Sequence, residues 1–578
     1  MKASKKRGFT IIELVIVIAV IAILAAVLIP TFANIIQKAN VANDVALARN
    51  MNTILIADEA TNGRSTDMYD VLIALEQGGF KLENLNPRAD GNVFAWDKAN
   101  NQIVYLDKKN PDKPIFQAKE IGNNKGDLYI TTRKAEVFAD YPGYSYYFAS
   151  DISGNITLDE GSCLDTGEFA LTGDVSVKTN KDVEIHGTIN GTITVNSASG
   201  KITNYSVVKN VVIENTAATS YHERGHVEAM KIQNSLTGKV VLENDAYVET
   251  LTNNNDKAKG KVESKGYVKA VAVESSDDSV KVTETGYVLE IGTYDQLVNF
   301  RNKVNAGASY SGMTVKLTAD IDISERAWTP IGAAYRKDID ANAKVFQGTF
   351  DGQDHKITGL TNTGFKISSV FKGSNKTTPE GYSEYVFGLF GSVYNATIKN
   401  IVMANVNIDL GCDEKEKVVG DSVGAIVGFA AGDESTGVTI DSCKVLSGSI
   451  VGYDAVAGII GRTYSAKTTI NKCENAATVT AIRRACGILG FASFPEAKTV
   501  AITDCKNSGN VKQTGTPTTD PAGKRAEGDY GYYKVAGLAI YQAKSEKIDT
   551  TGSSNTGTVT LTVPEGEGKN KSDTVLYY

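Results

Sequence analysis

Tryptophan, histidine, cysteine and proline are all scarce, at 2, 4, 6 and 11 residues in a chain of 578. Six cysteines in so long a chain do not make a disulfide scaffold. An excess of one charge is also lacking. The net charge of −7 is mild, and no basic stripe interleaved with aromatics argues for nucleic acid. What is plentiful is glycine, 54 residues against 11 prolines, together with many Val, Ile and Thr, which points to a β-rich, tightly turning protein. A hydrophobic content of 42% supports real cores, and the length suggests roughly three or four domains.

The start of the chain departs from this composition. Lys2, Lys5, Lys6 and Arg7 precede Gly8, and from Phe9 to Ile29 the only polar side chains are Thr10 and Glu13. At about 1.5 Å per residue this run reaches roughly 30 Å, the thickness of a bilayer's hydrocarbon core. The basic residues would hold the N-terminus in the cytoplasm and leave everything after Pro30 outside. Glu13 is out of place there. An ionised carboxylate that deep costs at least about 2.5 kcal/mol, which makes it a candidate functional residue.

Gly8-Phe9-Thr10-Ile11-Ile12-Glu13-Leu14 followed by an apolar run resembles the cleavage and methylation signal of type IV prepilins. The resemblance implies that a prepilin peptidase cuts after Gly8 and methylates Phe9 as the new first residue. Glu13 becomes the motif's glutamate, neutralising the α-amino cation of a neighbouring subunit as helices pack into a filament. Pro30 falls where the family tends to carry a helix-weakening proline. A secretory signal would need a shorter apolar core and a small-residue cleavage site, for which Ala25-Ala26 is a poor match. A plain membrane anchor would not explain Glu13 or the Gly-Phe junction. The resemblance covers about the first 60 residues and continues more weakly to about 110. It implies a basic leader (1–8), a membrane and assembly helix (9–60) and a small pilin-like head (61–110).

The local patterns agree. Phe32, Ile35, Ile36, Ala39, Ala42, Val45, Ala46, Ile54 and Leu55 form an amphipathic stripe that continues the membrane helix outward. A short helix is predicted at Tyr69–Gln77, stopped by Gly78-Gly79. Val93–Trp96 and Ile103–Leu106 flank Asp97–Gln102 as a β-hairpin. A β-rich connector (111–165) follows.

Beyond it the chain repeats. Gly225-His226-Val227, Ala246-Tyr247-Val248, Gly266-Tyr267-Val268 and Gly286-Tyr287-Val288 recur at spacings of 21, 20 and 20, with Lys239-Val240, Lys261-Val262 and Lys281-Val282 between them. This predicts a β-solenoid with coils of about 20 residues over 166–291. Residues 292–312 hold a helical cap, with Leu297, Phe300 and Val304 on one face.

From Met313 two motifs interleave. One is glycine-apolar-apolar-glycine, as in Gly388-Leu389-Phe390-Gly391, Gly458-Ile459-Ile460-Gly461 and Gly487-Ile488-Leu489-Gly490. The other pairs Ile357/Leu360, Ile398/Ile401, Ile440/Cys443, Ile470/Cys473 and Ile502/Cys505. The string is similar to the GLUG-type repeats of bacterial surface adhesins, which implies a right-handed β-helix over 313–578.

Candidate chemistry is thin. His222-Glu223-Arg224-Gly225-His226 matches H-E-x-x-H as a string, but a zinc site needs it on a helix. Gly225 weakens a helix, and His226 falls where the following repeats have tyrosine. No third ligand is evident, so no metal is assigned and no cofactor is expected. Cys443, Cys473 and Cys505 share one repeat position, where they act as small hydrophobes or as a disulfide pair; Cys163, Cys412 and Cys486 have no evident partner. Carboxylates are too numerous to single out a catalytic pair. Tyr146-Tyr147, Tyr532-Tyr533 and Tyr577-Tyr578 serve either as exposed contacts or as coil packing.

The expected fold is thus α+β then all-β, a long pilin helix with a small head followed by right-handed parallel β-solenoid regions. The expected function is a non-enzymatic type IV pilin-like subunit, minor or at the tip. It would pass once through the cell membrane and then reach the cell surface or pilus. Its partners would be the prepilin peptidase, other pilin subunits and surface glycans or host proteins. Two alternatives remain: a membrane-tethered polysaccharide-active β-helix enzyme, or a pseudopilin of a secretion or DNA-uptake machine.

Overall fold

The computed structural model describes residues 11–577 except 82–84, 159–162, 198, 217–219, 234–235, 237, 255–261, 273–281, 284–285, 325, 333–342, 363–382, 413–417, 493–498, 517–518, 522–532, 544–547 and 563–573. Gly8 and Phe9, like Lys261, Lys281, Tyr532 and Tyr578, lie outside the described residues. The chain forms two compact units: residues up to Thr172 with Lys178–Val183, and Gly173–Val177 with Glu184 onward.

In the first unit one helix, α1 (Ile11–Asn62), runs for 52 residues and continues through Pro30. The Thr31 hydroxyl donates to the Val27 carbonyl (2.8 Å) one turn before it. Burial begins at Asp44 and continues through Ala48, Met51, Asn52 and Leu55. A second helix, α2 (Met68–Gln77), is capped by Asp67, whose carboxylate accepts from the Asp70 amide, and ends as expected at Gly78. The hairpin is present: Val93–Asp97 pairs antiparallel with Gln102–Leu106, and Asp97 faces Gln102 across the turn. Its sheet does not stop at residue 110. Leu128–Thr132 adds antiparallel to Val93–Asp97 and then runs parallel to Ser145–Phe148.

In the second unit the repeats of about 20 residues stack as parallel strands. Val208 faces Val227, Val227 faces Val248, and Val248 faces Val268. A companion ladder runs Ile202, Tyr221, Val240, Val262. Val288–Ile291, read as the end of this series, pairs instead with Thr314–Leu317 and opens the next one. Between them, α3 (Tyr294–Ala306) buries Leu297, Phe300 and Val304, with Gly307 at φ +127° as its stop.

The remaining strands fall into sheets to which each repeat contributes one strand. Thr349–Asp351, Thr397–Lys399, Val438–Asp441, Lys467–Asn471 and Thr499–Thr503 follow one another in parallel. The inward residues of that row are Phe350, Ile398, Ile440, Ile470 and Ile502, all fully buried. Phe350, and not Ile357, therefore holds the first position of the isoleucine series. Ile357 sits in the neighbouring sheet opposite Met403. The misplacement arises because the apolar residue facing the core in that repeat is aromatic. Asn400, Ser442, Lys472 and Asp504 precede the paired inward residues and all take φ near +50°, a left-handed corner repeated from one layer to the next. Among the described strands of this series one pairing is antiparallel, that of Thr574–Tyr577 with Ala539–Ala543.

Candidate functional site

The described part of the predicted assembly segment is the free half of α1. From Ile11 to Ile36 its large apolar side chains are 46–81% exposed, and Glu13 lies in the first described turn. The helix is long and apolar enough to cross a membrane. So much continuous apolar surface does not rest stably in water and requires either lipid or other apolar helices around it.

The other half is anchored by polar groups. The Asp44 carboxylate, 1% exposed, accepts from the Arg88 amide (2.8 Å), the Ala89 amide (2.9 Å) and the Tyr105 hydroxyl (2.8 Å). Asn52 behaves as a further strand partner. Its side chain donates to the Ile103 carbonyl (2.8 Å) and accepts from the Ile103 amide (2.7 Å). Toward the helix end the Glu59 carboxylate accepts from Asn101 (2.9 Å), whose side-chain oxygen accepts from the Trp96 indole (3.1 Å). The hairpin thus fixes the outer turns of α1 by directed bonds, and the apolar turns project free of it.

Residues 3–29 match the family model described as the prokaryotic N-terminal methylation motif. The chain is type IV pilin-like at its start. It is similar to the type IV major fimbrial protein FimA of Dichelobacter nodosus (strain VCS1703A), 35% identical over 94 residues, 16% of this chain and 57% of that protein. The fimbrial protein of Moraxella nonliquefaciens is 44% identical over 98 residues, 16% of this chain and 63% of its own length. Another FimA of Dichelobacter nodosus is 28% identical over 169 residues, 28% of this chain and 91% of that protein. The chain therefore spans little more than half of the first of these relatives. No solved structure matches it. The pilin-like start and the apolar helix agree with membrane anchoring and a place in a surface pilus, and the relatives are structural fimbrial proteins.

The H-E-x-x-H string lies on two strands, Ser220–Glu223 and His226–Ile232, and on no helix. His226 faces Tyr247, which faces Tyr267, so the histidine does take the tyrosine position. The two imidazoles meet different acids, His222 at 2.7 Å from Glu243 and His226 at 3.6 Å from Glu249. Glu223 points into the core, where it accepts from Asn204 (3.0 Å), Tyr221 (2.6 Å) and the Gly225 amide (2.7 Å). Burial pushes its carboxyl up to about 7. Lys303 of α3, equally buried, donates to the Asp245 carbonyl, and burial brings its ammonium down to about 8. No sequence pattern marks this Lys303 contact, because its partner lies 58 positions away.

The three repeat-position cysteines are buried thiols, and no disulfide links any of the six. The Cys473 amide donates to the Cys505 sulfur (3.4 Å), and the Cys473 thiol donates to the Asn471 carbonyl (3.3 Å). Tyr146, Tyr147 and Tyr533 are core residues, not exposed contacts. A set of buried charges was invisible to pattern reading. Arg484 grips Asp454 through two bonds (2.7 and 2.6 Å), Arg462 adds a third (2.8 Å), and Arg483 pairs with Asp520 (2.7 Å).

Proposed function

We propose that the chain is a type IV pilin-like subunit that inserts through residues 9–29, is cut after Gly8 by a prepilin peptidase and is methylated at Phe9. It then assembles with other pilin subunits through Glu13. The observation that carries this reading is the apolar half of α1, exposed from Ile11 to Ile36, whose residues up to Ile29 lie in the segment that matches the methylation motif. In a filament, Glu13 of one subunit would meet the Phe9 amine of the next, so the cost of a carboxylate in an apolar helix bundle is offset by a charge partner. Residues 61–110 serve as the head and 111–165 as the connector. The further reading is a solenoid over 166–291, whose last strand Val288–Ile291 passes into the next series, a helical cap over 292–312 and a right-handed β-helix of GLUG type over 313–578; the in-register parallel ladders support the stacking in both series. These would be displayed outside the cell for adhesion to glycans or host proteins. So bulky a region on every subunit would crowd closely stacked helices, hence a minor or tip position, and the action is surface contact, not catalysis.

Mass spectrometry of the protein recovered from cells tests the processing. The expected species begins at Phe9 and carries one methyl group. An intact basic leader would sink the proposal. Glu13→Ala should abolish incorporation into filaments while leaving membrane insertion unchanged, and a dominant stoichiometry in purified filaments would rule out the tip role.

A further inference from the structure

One sheet of the second unit carries a row of threonines on its outer face. Thr314 faces Thr349, Thr349 faces Thr397, Thr397 faces Thr439, and Thr439 faces Thr469, all in parallel register. The residue after each of them (Val315, Phe350, Ile398, Ile440, Ile470) is buried, so strand alternation turns the threonines outward. Neighbouring hydroxyls along the row are about 4.8 Å apart, the interstrand spacing.

The first three threonines line an open groove of about 450 Å³. Gln347 and Ser311 flank them, and Tyr394, Asn395 and Asp433 also line it. The side chains of Asn395 and Asp433 are fixed to each other: the Asn395 amide donates to Asp433 Oδ2 (2.6 Å), and the Asp433 backbone amide returns a bond to Asn395 Oδ1 (2.9 Å). Asp433 Oδ1 also accepts from the amides of Ser435 (3.0 Å) and Thr436 (2.8 Å) and from the Ser435 hydroxyl (2.8 Å). The Tyr394 ring packs beside Phe429 and Ala431. Among the described residues the hydroxyls of Thr314, Thr349, Thr397 and Tyr394 have no hydrogen-bond partner.

We infer that this groove binds a neutral, extended, β-linked oligosaccharide along the threonine row. The inference rests on the adhesion reading above and names the ligand class. Hydroxyls repeating at one strand spacing match a chain whose own hydroxyls repeat at each pyranose ring, and a half-buried tyrosine offers a face for a sugar to lie on. The lining is too polar for a lipid chain. Among the described lining residues the one charged side chain is Asp433, an anion that disfavours uronic or sialic acids, phosphates and nucleic acids.

Titration calorimetry of the full-length protein in detergent micelles with cellohexaose tests it. Binding tighter than about 1 mM is expected, with a hexamer of galacturonic acid and the helical maltohexaose each at least about tenfold weaker. Thr349→Val with Thr397→Val keeps branching and volume and should weaken cellohexaose roughly tenfold at unchanged Tm. Absence of cellohexaose binding, equal binding of the galacturonic acid hexamer, or full affinity in the valine variant would each overturn the inference. Filament incorporation is read separately. Cells that still adhere while the purified protein binds no cellohexaose would remove this ligand and leave the adhesion reading standing.

Discussion

The Tyr105 hydroxyl donates to the Asp44 carboxylate at 2.8 Å, tying the hairpin to the long helix across 61 positions. Asn92 donates in turn to that hydroxyl at 2.8 Å. Asp44→Ala would strand two backbone amides and a phenol in a buried site, at a cost of roughly 3 kcal/mol. Tyr105→Phe should cost about 1–2 kcal/mol. Thermal unfolding followed by near-UV circular dichroism checks both, and equal effects of the two variants would show that the amide bonds contribute little.

Glu223 supplies a pH dependence. Its folded value, about 7, lies above the ordinary 4.5, so the folded state holds the proton more tightly. Stability from this group is therefore full below pH 4.5 and declines as pH rises to about 7, by up to about 3 kcal/mol. Lys303 acts in the opposite sense at higher pH, since a folded value of about 8 against 10.5 adds stability between those limits. Glu223→Gln should flatten the fall between pH 4.5 and 7 when Tm is measured against pH. A parallel decline in the variant would assign the effect to other groups.

The thiol ladder should be chemically silent. Burial lifts Cys473 well above the usual thiol range, and contact with Cys473, together with burial, does the same for Cys505. In native protein at pH 8, an aromatic disulfide reagent should titrate no more than the half-buried Cys163 and Cys412, and all six after unfolding. Three or more reactive thiols in the native state would contradict the packing.

Asp454 should tolerate nothing less than a carboxylate. It neutralises Arg484 and Arg462 in a site where all three side chains are below 9% exposure. Asp454→Asn leaves two buried cations with one fewer counter-charge and should cost about 3–5 kcal/mol. Replacing the Asp454–Arg484 pair by Leu and Met should recover part of that loss. The urea midpoint of the two variants measures the difference.

The hairpin was legible because two short apolar runs, Val93–Trp96 and Ile103–Leu106, flank a turn whose ends pair directly, so local chemistry determines the register. The row of His226, Tyr247 and Tyr267 was legible for a similar reason: a repeat of nearly constant length translates into constant register. Where repeat length varied, register could not be read. Ile357 looked equivalent to Ile398, yet the core at that level is filled by Phe350. Contacts made once were hidden altogether. Asp44 with Tyr105, Lys303 with Asp245, and Arg462 with Asp454 each join residues that no periodicity connects. The threonine row is intermediate. Each threonine is visible in the sequence, but their common face appears only when repeats of unequal length are laid on one another.

The reversed strand Thr574–Tyr577 has a consequence for edge pairing. By lying antiparallel on Ala539–Ala543 it occupies the edge of that one sheet. A further strand of the parallel direction, from this chain or from another copy, could pair there only by displacing this bolt.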